Sequence, residues 1–582
     1  MALTRITSKQ VTYKQGGTGS VVRSLEGKLQ EYVSVLDFVP SVIVTQSVDC
    51  STYIQAALNI AEGKTLYLDG RTYRCDSYLQ VKGNVEGNNT TLMFYGTVAS
   101  GPAKSLVYQE DKGSLRNFTI DGTNVEDVGS GLFVNTDFAQ DGTCYYELTI
   151  QNISTNSTAD QTTNGAVFFK ASDASVNLNS DLDIRLRVEN VVANGDGGIG
   201  DNRGSATGIL VSFNGTGTAS RVNIHDCYVF NVSSGATPAE DSSGINTYTG
   251  DFQVFGSKGV YTISNCDIKQ CYKRAVKVQS QNTLIENVVA DATSTEGAFE
   301  TYAFNTTFHK CSSLNSSNVA FSTNWRHTTF SDCYVHQVGN DRAVRLYSNS
   351  SDTFISKLRI LTSSSYASND IGILDIDTPN PVTIDNVIIN CTTDTGSAIT
   401  ITSNASSADI IISNVQSTGT YYGLHSIDAQ GTVKVNNSVF RVANAGVYRT
   451  GNTGTFIFDI AHSEFSGGLQ GALTYHSLGA SSCILNMDSC RLSASANGIV
   501  GASGSRITNN VITQSPSGTT GYGITAGNSV IRGNQITDFA YSLEYNYTTT
   551  AEVANNVGIS PNTALAEKTG YTPFVENDNY TR

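Results

Sequence analysis

Between Tyr261 and Asp377 the chain repeats one short pattern: YTISNCDI, NTLIENVV, TTFHKCSS, TTFSDCYV and TFISKLRI, with PVTIDNVI just beyond. Each copy alternates apolar and polar residues, bends at Asn, Asp or Lys, and resumes on a small or apolar residue. A second short strand follows each of the first five: AVKVQ, AFETY, AFSTN, AVRLY and ILDID. A two-strand unit returning every 20–29 residues cannot bury a core alone. Successive units must therefore stack as the coils of a solenoid.

In this register the bend falls at Gly83, Asn117, Asn152, Asn190 and Asp226, spaced 34–39 residues apart. It then tightens through Asn265, Asn287, Lys310, Asp332, Lys357, Asn386 and Asn414, and continues at Asn437, His462, Ser489, Asn509, Gly533 and Asn555. The wide early spacing implies inserted loops, notably 195–204 and 233–244. About eighteen coils at roughly 4.8 Å each predict a rod some 85 Å long. Two residues before the bend stand Ile224, Ile263, Ile285, Phe308, Phe330, Ile355, Ile384 and Ile412, an inward ladder. Just after it, Cys227, Cys266, Cys311 and Cys333 share a slot with Val288, Leu358, Val387 and Val415. Those cysteines read as buried, reduced core residues, not as metal ligands or a disulfide framework.

The chain is rich in Gly, Ser, Thr and Asn, with 8 Pro, 3 Met and 15% charged residues, which suits short strands and tight turns. A net charge of −15 argues against nucleic acid or an anionic membrane as partner, while leaving room for a local basic strip that holds an acidic polysaccharide. No apolar run is long enough to span a bilayer, and MALTRITSKQ lacks the apolar stretch of a secretion signal.

Residues 1–38 read as a separate leading segment: a flexible, Gly-rich piece, TYKQGGTGS, then a short amphipathic helix from about Arg23 to Tyr32, interrupted by Gly27. Residues 39–78 read as a cap over the open end of the solenoid. Within it a helix starts with Ser51 or Thr52 as its cap, has Ile54, Leu58 and Ala61 on one face, and ends at Gly63; KTLYLDGRTYRC then reads as strand, turn, strand. Residues 79–558 form the coils, and 559–582 an end-piece with no repeat. The fold class is all-β, a parallel β-helix.

Two stretches carry a family resemblance. TYKQGGTGSVVRSLEGKLQEYVSVLDF resembles the opening of bacteriophage tailspikes and capsular polysaccharide depolymerases. YIQAALN and GKTLYLDGRTYRC resemble the capping helix and first strands of their pectate-lyase-like right-handed β-helices. One departure is VPSVIVTQSVDC, which stands where many relatives carry a Gly-Asp-Gly turn. The resemblance implies a homotrimer on the virion, attached to a phage tail or adaptor protein by the amino terminus. It also implies cleavage of capsule or O-antigen polysaccharide outside the host cell. The family shares no single catalytic motif, so no site residue comes from it.

Site candidates come from the register instead. Outward positions of the second strand give the column Lys277, Glu300, Ser322, Arg345, and in the next coil a one-residue bulge brings Asp375 outward in place of Leu374. Two positions on lie Gln279, Tyr302, Asn324, Tyr347 and Asp377; at the preceding turn lie Lys273, Glu296, Asn318, Asp341 and Asp370. Glycoside hydrolysis needs two carboxyl groups, about 5–5.5 Å apart if retaining and about 6.5–9.5 Å if inverting. The catalytic candidates are Glu296, Glu300, Asp341, Asp375 and Asp377. Glu300 and Asp375 would lie three coils apart, about 14 Å, so Glu300 is expected to work with Glu296 or Asp341. Lys277 and Arg345 suit an acidic sugar, and Tyr302, Trp325 and Tyr347 offer rings for sugar stacking. The rival for every such charge is a solvated side chain in a weak cross-coil pair. Smaller acidic clusters, Asp196 with Asp201 and Glu240 with Asp241 and Asp251, read as solvated loops; His425, His462 and His476 read as surface or packing residues.

Three functions follow: a glycoside hydrolase with a carboxylate pair, a polysaccharide lyase using Lys277, Tyr302, Arg345 and Tyr347 at a uronate, or a receptor-binding spike without activity. No cofactor and no metal is implied.

Overall fold

The computed structural model describes residues 32–582 apart from 97–103, 111, 126–127, 136–141, 156–164, 172–179, 194–205, 214–220, 234–241, 251–258, 294–296, 340, 364, 367, 403–407, 451–453, 474–482, 501–503, 515–520, 527–528, 546–551, 560–562, 568–575, 578–579 and 582. Before residue 32 it describes only Thr12–Tyr13 and Arg23–Ser24, which pair antiparallel. The chain divides into two compact units, 1–283 and 284–582.

Each unit is a stack of parallel strands in which every strand pairs with its counterpart one coil away. In the second unit the inward ladder runs unbroken from Phe308 through Phe330, Ile355, Ile384, Ile412, Val435, Ile460, Met487, Ile507 and Ile531 to Val553. The Phe308 and Phe330 rings stack with centroids 5.1 Å apart. Such close, identical contacts make each rung a template for the next.

The bends have one physical cause. From Asn117 to Asn555 every bend position read from the sequence has positive φ, between 49° and 64°. Asn and Asp tolerate this left-handed conformation because their short polar side chains bond locally. Gly83 is the exception in φ; a Cβ there would lie 2.9 Å from the Lys64 carbonyl oxygen, so glycine is needed for space.

The slot after the bend is inward throughout. Cys311 and Cys333 donate to the carbonyl oxygens of Ile285 and Phe308 at 3.4 and 3.5 Å. All eleven cysteines are free and buried, and burial pushes the Cys271 thiol up to about 12. Farther along, the same slot passes to Cys490, Asn510, Asn534 and Asn556. There Asn510 Nδ2 donates to Asn534 Oδ1 at 3.0 Å, and Asn534 Nδ2 to Asn556 Oδ1 at 2.9 Å. The buried amides thus satisfy one another.

Several expectations are corrected. Asn152 and Asn190 do not share a corner with Asn117 and Asp226. Their side chains bond each other at 3.0 Å, and Asn231 Nδ2 extends the row to Asn190 Oδ1 at 3.0 Å, so they mark a second corner. In register Asp226 stands opposite Arg185 and Leu186, between the Ile184–Ile224 and Arg187–Tyr228 pairs. Equal spacing hid this change, because one long strand replaced two short ones.

The helix expected from about Arg23 to Tyr32 has strand at both ends: Arg23–Ser24 pairs as above, and Tyr32–Ser34 pairs parallel with Thr65–Tyr67. Residues 25–31 lie outside the described residues. Alternating burial of Tyr32, Val33 and Ser34 marks a two-residue period there, not a helical one.

The capping helix spans Ser51–Ile60 and buries Ile54, Ala57 and Leu58. Its cap is neither Ser51 nor Thr52. Cys50 occupies the cap position, and the Asp49 carboxylate accepts from the Ser51 N–H and hydroxyl at 2.9 and 2.6 Å. In the stretch read as an end-piece, Thr563–Glu567 pairs parallel with Tyr541–Tyr545, and two shorter strands extend the other ladders. Among the described residues no helix is long and apolar enough to cross a membrane.

Candidate active site

In the second unit the outward column is continuous: Glu300 faces Ser322, Ser322 faces Arg345, and Arg345 faces Asp375. Leu374 pairs with Val344 and is buried, so Asp375 takes the outward place; the pairing is continuous, so this needs no bulge, because the strand is simply in register one residue later than expected. The column continues through Thr400, His425 and Tyr448.

Although it points outward, Asp375 is only 3% exposed, because Arg342 and Arg345 cover it. Arg342 Nε bonds Asp375 Oδ2, and Arg342 Nη1 bonds Asp341 Oδ1 at 2.6 Å, so one guanidinium bridges carboxylates on adjacent coils. Arg345 Nε lies 3.9 Å from Asp375 Oδ2, and its guanidinium stacks 4.3 Å over the Tyr347 ring. Burial pushes the Asp375 carboxyl above the usual carboxylate range; Arg342 and Arg345 pull against this, and nearby Asp377 adds to it.

Asp377, half-buried, accepts from the Thr402 hydroxyl at 2.6 Å. Asp375 lies in the strand Gly372–Ile376 and Asp377 just past its end, on either side of inward Ile376, with their Cα atoms about 6.6 Å apart. Glu300, 5% exposed, accepts from the Tyr302 hydroxyl at 2.8 Å, and stands three rungs from Asp375, about 14 Å. Between them Ser322 Oγ and Arg345 Nε are buried without a hydrogen-bond partner. Orphaned donors of this kind are costly unless a ligand or water meets them.

The remaining candidates scatter. Glu296 lies outside the described residues. Lys277 belongs to the first unit, where it is 6% exposed and in register with Asn246. Trp325 sits half-buried at a turn with its ring edge-on to Phe304 at 5.8 Å, and its indole N–H is buried without a partner. Asp370 is 63% exposed, with its carboxylate 3.8 Å from His425 Nδ1. Asp196, Asp201, Glu240, Asp241, Asp251 and His476 lie outside the described residues.

Sequence reasoning passed over Arg342 and His425. Arg342 sits three residues before the column's Arg345 and reaches Asp375 by side-chain length, which a register count does not see. His425 occupies a column slot by count but is completely buried, packed between Tyr422 and Tyr448 rings at 5.0 and 5.1 Å, with Nε2 3.1 Å from the Thr450 hydroxyl. Burial pushes its pKa down to about 4, against the pull of Asp370. Among the described residues no group of His, Cys, Asp and Glu converges to hold a metal ion.

The geometry defines a parallel β-helix with an acidic and basic strip along one face of its coils. A family model for right-handed β-helix regions matches residues 252–440. The chain is thus a right-handed parallel β-helix. Among solved structures it is similar to the tailspike protein of E. coli bacteriophage HK620, in a mutant form in complex with a hexasaccharide; the identity is 13%, covering 84% of this chain and 82% of that one, with a TM-score of 0.36. A double mutant of that tailspike, in complex with a pentasaccharide, gives 14% identity over the same shares, with a TM-score of 0.37. PfbA, a surface adhesin of Streptococcus pneumoniae, gives 12% identity over 75% of this chain and 92% of that one, with a TM-score of 0.32. A search of curated proteins finds no match. At these identities the likeness is one of fold.

Proposed function

We propose that this chain is a bacteriophage spike that binds a bacterial surface polysaccharide and hydrolyses its glycosidic bonds. The observation that carries the reading is the carboxylate pair at the end of one strand. Asp375 is buried and pushed toward its protonated form, while Asp377 is half-exposed and held by Thr402. Two carboxyl groups in unlike environments divide naturally into an acid and a base. Their backbones are about 6.6 Å apart, a spacing from which the carboxyl groups can lean into the inverting range.

In this reading Asp375 protonates the leaving oxygen once Arg342 swings aside, and Asp377 activates a water on the opposite side of the ring. Glu300 with Tyr302, and Arg345 with Tyr347, hold the flanking sugars. Residues 1–38 attach the spike to a phage tail or adaptor protein, and three chains assemble, so that the spike acts outside the host cell.

The test is release of reducing ends from a panel of capsular and O-antigen polysaccharides. Asp375→Asn and Asp377→Asn are expected to abolish it; full activity in both variants defeats the assignment. A lyase is the rival, favoured by the Tyr302 hydroxyl poised on Glu300 and by Arg345 two rungs along the same column. Its products absorb in the ultraviolet through an unsaturated uronate, whereas hydrolysis products do not.

A further inference from the structure

The changed corner in the first unit opens a cleft. Asn117 and Asp226 bend the chain at one corner, yet the two intervening coils do not bend there. Gly142–Thr155 and Ser180–Ala193 run straight past it as strands of 14 residues each. Cutting the corner leaves a cleft of about 350 Å³ across five coils, from Asn89 to Asp226. Phe118, Leu148 and Leu186 lie beneath it but turn into the core, so the surface it presents is mainly polar.

Its walls are polar and mutually paired. Arg185 Nη1 bonds Glu147 Oε1 at 3.1 Å, with both side chains about half exposed. The Arg187 guanidinium lies 4.7 Å over the Tyr228 ring and bonds Glu189. Asp226, at the far end, bonds His225 at 2.8 Å. Donors and acceptors therefore stand side by side along the cleft, with little net charge. A phosphate-bearing ligand would meet Glu147 and Asp226, and an apolar peptide would bury the paired charges. A sugar matches such walls, because its vicinal hydroxyls accept from guanidinium while donating to carboxylate. The length, four rung spacings or about 19 Å, suits a short oligosaccharide.

We propose that this cleft is a second glycan-binding site, which takes a short run of uncharged pyranose units and does no chemistry on them. It rests on the glycan-binding part of the reading above, not on which carboxylates in the second unit act. The test uses the full chain carrying Asp375→Asn, labelled and applied to an array of neutral and acidic bacterial polysaccharides of defined repeat. Binding to at least one neutral polysaccharide is expected. It should weaken at least tenfold when Glu147→Gln and Arg187→Ala are added together, and again when Thr149→Trp alone fills the cleft. Circular dichroism melting confirms that each variant folds. Unchanged binding in both variants, binding confined to acidic polysaccharides, or no binding at all overturns the proposal. Asp375→Asn protein that still releases reducing ends counts against the hydrolase assignment alone, because the array reads binding, not cleavage.

Discussion

Two sets of strands in the second unit carry unlike patterns. Inward, Phe308 to Val553 is a ladder in which each rung repeats its neighbours, so a single rung is one support among many. Outward, Glu300 to Asp375 is a column of different residues, each with its own partner, and two of its polar atoms have none. Redundancy serves shape, and singularity serves chemistry. The two sets stand on different strands of each coil and face opposite ways, so one can vary without the other.

That contrast can be tested from both sides. The largest expected effect is Asp375→Asn: reducing-end release falls by roughly 10²–10⁴-fold, with a lower melting temperature because Arg342 and Arg345 lose a buried partner. Phe308→Ala is its converse. It deletes a fully buried ring and should cost about 3–5 kcal/mol by denaturant unfolding, with cleavage per folded chain unchanged. A Phe308→Ala protein that folds normally but loses cleavage would show that the two surfaces are coupled.

A smaller effect marks where the outward strip ends. His425 is neutral when folded because burial lowers its pKa from 6.5 to about 4. As pH falls, the unfolded chain takes up the proton first, so stability is lost between about pH 6.5 and 4. The loss is about 3 kcal/mol at one histidine. His425→Gln should flatten that part of the stability profile. Asp375 has the opposite sign, since its raised pKa favours the folded state at low pH and the gain fades as pH rises through that value. Activity should therefore fall on the alkaline side as Asp375 loses its proton. The smallest effect belongs to the bends: Lys357 holds φ 50° without the local bonding open to Asn, and Lys357→Asn should gain about 0.5–1 kcal/mol, read as a small rise in melting temperature.

Much of this was legible beforehand, for reasons that also explain what was not. Asn, Asp and Lys at bends announce left-handed geometry because so few side chains tolerate it, and all the bends from Asn265 onward fell into one register. Asp375 could be placed because Leu374 belongs inside. Arg342 and His425 could not, since reach and burial are set by neighbours on other coils. The corner at Asn190 was misread because spacing counts residues per coil and says nothing of where within the coil a strand stays straight.

The ladders also fix how far the chain must search to close each coil. In the second unit, asparagine–asparagine rungs join residues 22–25 apart, as at Asn534–Asn556 and Asn324–Asn349. In the first unit they join residues 38–41 apart, as at Asn152–Asn190 and Asn190–Asn231. Loop-closure entropy then costs about 0.5 kcal/mol more for each wide coil. Growth by adding one coil to a finished edge is thus cheaper in the carboxy-terminal half, and folding is expected to nucleate there and spread backward toward the wider turns.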